Sequence, residues 1–338
     1  MASTVELASS AAGAGTRCTC HMRTPQPVPA HLRSRAFARE EALEAGITPR
    51  MLQHKRFEAI FPSVYRLRGA VLTPRQWIAA ARLALPADSR LSHGTALWEL
   101  GLELGELKPL HFTVARDLHL TIDDIFLHRT EVMPWSGDQR VSVEAAFVGA
   151  AMSMRLIDVI AAGDWLLNRD YMTKAALAQF IDRDPWRRGT AISREAIRWL
   201  DGRSRSIQES ETRCILASVG LPAPEPDLDM FDDHGVFLGC GDLVYRRWRL
   251  LVEYEGRQHA EDPWQFASDI DRYARWRGDG WEYIQVTQSR LGSPRTLVGR
   301  VHRVLVDRGY DGPAPDFGVR WESLFDKGNG RAIRGIAA

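Results

Sequence analysis

Cysteine is scarce. The 338 residues contain four, Cys18, Cys20, Cys214 and Cys240, too few and too scattered for a disulfide framework. A reducing, cytoplasmic compartment is therefore expected. Net charge is also nearly absent: 44 basic residues stand against 43 acidic ones, so affinity for a polyanion has to come from a local surface. A long apolar run is missing as well. The nearest candidate, Ala145 to Leu167, is broken by Arg155, Asp158 and Asp164, and lipid would not accept three charges there, so a buried helix pair is expected and no membrane span. Residues 1–30 are rich in Ala, Ser, Thr and Pro but lack a basic start followed by an apolar stretch; they are expected to be a disordered tail and not a secretory signal. The Cys18, Cys20, His21 group lacks a second pair to complete four ligands and is not read as a metal site.

What is present suffices for large cores: 45% hydrophobic residues and 11 tryptophans. At about 150 residues per domain, two domains or a core with an attached module are expected. Residues 31–90 open with an Ala/Leu/Glu-rich segment that stops at Gly46. Thr48 and Pro49 then start a second helix, and Val64 to Leu67 reads as a strand. Helix, turn, helix, strand is the order of a winged helix, and Arg50, His54, Lys55 and Arg56 cluster on or beside the second helix. DNA contact is expected at Arg50, Lys55 and Arg56.

Residues 91–203 read as a mixed α+β middle domain. A helix from Pro74 to Ala84 leads into it, Ser92-His93-Gly94-Thr95-Ala96 opens another, and strands are expected at His111 to Ala115 and Ile125 to His128. Apolar helices follow within 143–167, then a Thr173-capped helix to Phe180. His93, His111, His119 and His128 stand apart in the sequence and are expected to be isolated, not ligands. Polar, Arg-rich turns up to Ser206 mark a domain boundary.

From Ser206 the chemistry changes. Ser206 caps a helix with Glu209 at its third position, and that helix ends at Gly220-Leu221-Pro222. After a Pro-rich connector come two apolar strands, Gly239 to Tyr245 and Arg249 to Gly256. Alternation places Leu251, Glu253 and Glu255 on one face. If Arg246 to Arg249 form a four-residue hairpin loop, Asp242 lies opposite Glu253 on that face. Three carboxylates on apolar strands repel and are poorly solvated, so a divalent cation is expected among them, Mg²⁺ or Mn²⁺ held by Asp242, Glu253 and Glu255. Such an ion suits phosphodiester hydrolysis. Gly256 permits a turn that brings His259 to the strand end for proton transfer. An amphipathic helix over Trp264 to Gly278 carries arginines, Arg272 among them, suited to phosphate. A strand at Trp281 to Thr287 and a helix from Pro294 to Arg308 close the region, and 312–338 reads as a tail.

Glu209-Ser210 with Arg213, Gly220-Leu221-Pro222, Asp242-Leu243, Val252-Glu253-Tyr254-Glu255-Gly256 with His259, Asp269 with Arg272, and Gly280-Trp281 resemble the Vsr-like branch of the PD-(D/E)XK endonuclease superfamily over about 206–310. The resemblance implies a restriction-endonuclease-like mixed sheet over 204–311, with Asp242 and Glu253 as metal ligands, Glu209 as the acid from the first helix, and Glu255 at the usual lysine position. Ala260 and Gln285 replace a histidine and an arginine common in that branch. Val64-Tyr65-Arg66, Ser92 to Ala96 and Arg155 to Asp158 resemble the AbiEi-type antitoxin arrangement of winged helix and middle domain.

The expected protein is α/β: an N-terminal winged helix, a mixed middle region and a C-terminal nuclease-like sheet flanked by helices. Its expected function is metal-dependent hydrolysis of DNA by Glu209, Asp242, Glu253, Glu255 and His259. The alternatives are a non-catalytic, antitoxin-like DNA-binding regulator on a degenerate nuclease fold, and cleavage of RNA by the same chemistry. DNA is the expected partner; a toxin or a second copy of the chain is an open one.

Overall fold

The computed structural model describes residues 27–103, 105–255 and 272–327. It is a mixed α/β fold with three sheets. The first sheet is small. A 3-10 turn at Ala30–Leu32 precedes β1 (Phe37–Ala38), α1 (Arg39–Glu44), α2 (Pro49–Leu52), β2 (Phe57–Phe61) and β3 (Val64–Leu67), whose strands form an antiparallel sheet of order β1-β3-β2. Gly46, at φ +82°, ends α1 in the left-handed region that favours glycine. Thr48 accepts a hydrogen bond from the Met51 amide and Pro49 occupies the first helical position, as expected. Leu32, Phe37, Ala42, Ile47, Leu52 and Phe57 make a core of their own.

The middle region contains α3 (Pro74–Ala84), β4 (Arg90–Leu91), α4 (His93–Glu99), β5 (Leu110–Val114), β6 (Ile125–Arg129), α5 (Val143–Ala151), α6 (Leu156–Asn168), α7 (Lys174–Arg183) and α8 (Thr190–Ile197). Its sheet has order β4-β5-β6, with β5 and β6 parallel. Of the charges within 145–167, Arg155 caps the start of α6 after the break from α5 while Asp158 and Asp164 lie within α6, and no helix among the described residues is long and apolar enough to cross a membrane.

The last third consists of α9 (Ile207–Ser218), β7 (Glu225–Phe231), β8 (Phe237–Tyr245), β9 (Leu250–Tyr254), α10 (described over 272–278), β10 (Glu282–Val286), α11 (Gln288–Leu291), α12 (Pro294–Asp307) and α13 (Val319–Phe325). The sheet order is β10-β9-β8-β7; β9 and β10 are parallel and the other pairs antiparallel. Strand alternation sorts the two faces. Leu243, Tyr245, Leu250, Val252, Ile284 and Val286 join the main core with α9 and α12. Val244 and Leu251 face the other way, against Tyr273 and Trp276 of α10.

Two stretches correct the sequence reading. The expected Pro-rich connector contains strand β7, in which Pro226 pairs with Leu243 at the sheet edge, the place where a missing N–H is tolerated. The expected tail contains α13, because Trp321 and Leu324 are buried in the main core. That core also runs across the expected boundary at 203/204. On α6, Asp164 is fully buried and accepts bonds from Arg213 of α9 at 2.8 Å and from the Asp201 amide at 2.6 Å.

Candidate active site

The hairpin between β8 and β9 turns through a 3-10 turn at Arg246–Trp248 and through Arg249 at φ +44°. Tyr245 therefore pairs with Leu250, Val244 with Leu251 and Leu243 with Val252. One step further along the same register come Asp242 and Glu253. There the side chains replace the ladder: the Asp242 amide donates to Glu253 Oε1 at 2.9 Å, and the Tyr254 amide donates to Asp242 Oδ2 at 2.8 Å. Each carboxyl is thereby fixed by the main chain of the opposite strand, as the four-residue loop required.

Burial is what makes this pair costly. Glu253 is 4% exposed, and burial, followed by the neighbouring Asp242 charge, pushes its carboxyl up to about 8. The Asp242 carboxyl is raised too, chiefly by burial, although the Tyr254 amide and the Arg272 guanidinium act against the rise. Glu209 lies close enough to take part. Burial first and Asp242 second push its carboxyl up to about 6. Its amide donates to Ser206 Oγ at 3.1 Å, and its carboxyl accepts from the Arg205 amide at 2.8 Å, so the helix cap aims it. Glu211, two places on, instead lies beside Asp158 and Arg155.

Glu255 behaves differently. It lies past the end of β9; its amide still reaches the Val286 carbonyl on β10, while its carboxyl accepts from Gln285 Nε2 at 2.8 Å and from the Tyr273 hydroxyl at 3.4 Å. Arg272 is placed beside the acids, its Nη2 being 3.8 Å from Glu253 Oε2 and its guanidinium 5.1 Å from the Trp276 ring centre. Gly239, at φ +135°, makes room for it: a Cβ there would meet Arg272 Cδ at 3.1 Å. His259 and Asp269 lie outside the described residues.

One neighbour escaped the sequence reading because β7 did. Asp227, at φ +49°, binds Arg205 at 2.7 Å, accepts from the Cys240 thiol at 3.0 Å, and adds its charge to those acting on Asp242 and Glu209. Among the described residues, no three His, Cys, Asp or Glu side chains are arranged to hold an ion.

No family model matches this chain. No solved structure matches it either. It is similar to two uncharacterized proteins of Mycobacterium tuberculosis, one from strain CDC 1551 / Oshkosh and one from strain H37Rv, each 27% identical over 159 residues, or 47% of this chain. The match spans 58% of the length of each relative.

The expected DNA-contacting side chains lie elsewhere. Arg50 and Lys55 are exposed on and just after α2, whereas Arg56 is half-buried with its guanidinium 5.0 Å from the Phe57 ring centre. The histidines depart from expectation most. His93, His111 and His128 are brought together from α4, β5 and β6, and His93 and His128 stack at 3.6 Å.

Proposed function

We propose that the chain is a metal-dependent endonuclease acting on DNA, with Asp242 and Glu253 as the carboxylates that hold the ion. One observation carries this reading: the carboxyls of buried Glu253 and half-buried Asp242 are each locked by an amide of the opposite strand, and their proton affinity is raised even with Arg272 alongside. A group that holds protons against its ordinary value gains most when a cation neutralises it. The donor set fits Mg²⁺ or Mn²⁺, which take one or two protein carboxylates and complete their shell with water and phosphate. Such an ion, when bound, polarises a phosphoryl oxygen and acidifies an attacking water.

The chain's own residues supply position and proton handling. The amides of Asp242 and Tyr254 each occupy one carboxyl oxygen, Glu253 Oε1 and Asp242 Oδ2, and Glu253 Oε2 lies 3.8 Å from Arg272 Nη2, which an ion held there would have to displace or share. Glu209, pushed up to about 6, orients or deprotonates water near neutral pH. Gln285 and Tyr273 hold Glu255 at the edge of the site. His259 is assigned to proton transfer on the resemblance alone. The order of elements over 30–67 and the exposed Arg50 and Lys55 support a winged helix that would dock on duplex DNA.

Plasmid nicking with Mg²⁺ or Mn²⁺ tests this. Nicking by the wild type, reduced about a hundredfold or more in both D242N and E253Q with folding retained, is the expected result. The second reading, a DNA-binding regulator without catalysis, is favoured by Arg272 already sitting beside Glu253 and by Glu255 being tied to Gln285 where the resemblance expects a lysine. Binding without cleavage across both metals would select it.

A further inference from the structure

Two of the three clustered histidines, His93 and His128, line a cavity of about 930 Å³, within the range of roughly 300–1,000 Å³ typical of small-molecule sites, and His111 backs them. Parallel pairing of β5 and β6 sets His111 opposite Phe126 and Thr113 opposite His128, all on one sheet face. His128 Nε2 is 2.8 Å from His111 Nδ1, and Thr113 Oγ1 donates to Ser92 Oγ, which in turn is 2.9 Å from His93 Nδ1. The His93 ring fits only because α5 carries glycine beneath it: a Cβ on Gly149 would lie 2.8 Å from His93 Cδ2. Burial keeps the rings uncharged at neutral pH, pulling His93 down to about 2 and His128 to about 4. The floor is thus aromatic and neutral. Metal ligation is disfavoured, since His93 and His128 lie face to face and His128 and His111 spend a nitrogen on each other.

The rim has the opposite character. The 184–189 loop is held by the bond from Arg187 Nε to Asp184 at 2.6 Å and by Arg187 Nη2 donating to the Val132 carbonyl at 3.0 Å. Gly189, at φ +90°, lets the loop press on α5, where a Cβ would clash with the Val148 carbonyl at 1.9 Å. This fixed loop presents exposed Trp186 and Arg188 to the cavity; Arg116 and Arg129 also line it, paired with Asp88 at 2.9 Å and with Asp117 at 2.6 Å, and Asp117 and Glu131 share the rim. Phe126 is 53% exposed and Trp186 66%.

Cationic groups above neutral stacked rings, with uncovered aromatics beside them, match a ligand that is both planar and phosphorylated. We propose that this cavity binds a nucleotide unit, its base against the aromatic surfaces and its phosphate against the rim arginines. The proposal shares no residue with the acidic site and stands whether or not that site is catalytic.

Calorimetric titration of the full chain with AMP, adenosine, inorganic phosphate and a 5′-phosphorylated pentathymidylate, without divalent metal, tests it. AMP should bind, with adenosine and phosphate each weaker by about tenfold or more. Saturation by the oligonucleotide but not by AMP would still support a nucleotide site, filled by a strand end. R188A and W186A, both surface changes, should each weaken binding about tenfold without altering the melting temperature; G149A should displace His93 and abolish binding, and D242N should leave it unchanged. Three results overturn the proposal: saturation below about 1 mM by neither AMP nor the oligonucleotide, saturable binding of AMP and of phosphate with equal affinity, or affinities unaltered in R188A and W186A.

Discussion

The carboxyls of Asp242 and Glu253 each accept a main-chain amide from the opposite strand, so their charge and the strand register depend on one another. Their raised values fix the sign of a pH effect. Between the ordinary carboxylate value near 4.5 and the folded value of Glu253 near 8, the folded chain holds more protons than the unfolded one. This contribution to stability is complete below about pH 4.5 and is lost as pH rises through 8. The histidines act oppositely: with His93 and His128 pulled well below 6.5, their contribution is present above that value and lost on acidification. In metal-free buffer, E253Q should therefore remove a few degrees of the fall in melting temperature between pH 5 and 8 and leave the acid limb in place. A parallel downward shift at every pH would contradict this origin. D242A should cost more than D242N, about 1–3 kcal/mol, because alanine leaves the Tyr254 amide without its acceptor; chemical denaturation measures the difference.

At the scale of elements, signals carried by adjacent residues were readable in the sequence. α3 spans the expected Pro74–Ala84 because a Thr73 and Gln76 capping box and Pro74 define its start. The Asp242 and Glu253 pairing followed from strand alternation and a four-residue loop. β7 was hidden by Pro224, Pro226 and its acids, since an edge strand tolerates what a central one does not, and Asp227 was lost with it. The histidine cluster had no local signature: its members come from a helix and two strands, united by the parallel pairing of β5 with β6 and the packing of α4 on β5. α2 carries its own prediction. Arg50 and Lys55 are exposed, so the R50A/K55A double variant should weaken duplex binding and reduce the salt slope of log K by about 2. Arg56, packed on Phe57, should affect stability as well as binding. Fluorescence anisotropy across a salt series reads both quantities.

Across the whole molecule, the main hydrophobic core runs from Ala36 to Leu324 and ignores the polar turns that suggested a boundary near 203. The buried pair of Asp164 and Arg213 ties α6 to α9, the helix that carries Glu209. Breaking it with R213A leaves a buried carboxyl without its partner and should cost about 3–5 kcal/mol. Middle and C-terminal regions should then melt earlier together, in one calorimetric transition; a separate early transition confined to the C-terminal third would show that the two do not share a core.

The acidic site is most directly tested by calorimetric titration of the metal-free chain with Mn²⁺ and Mg²⁺, in the presence and absence of an oligonucleotide duplex. Saturable uptake by the wild type, lost in D242N and E253Q while both remain folded, is the expected result. No uptake of either ion under any of these conditions, or equal uptake by all three proteins, would contradict the assignment of these carboxyls to a cation.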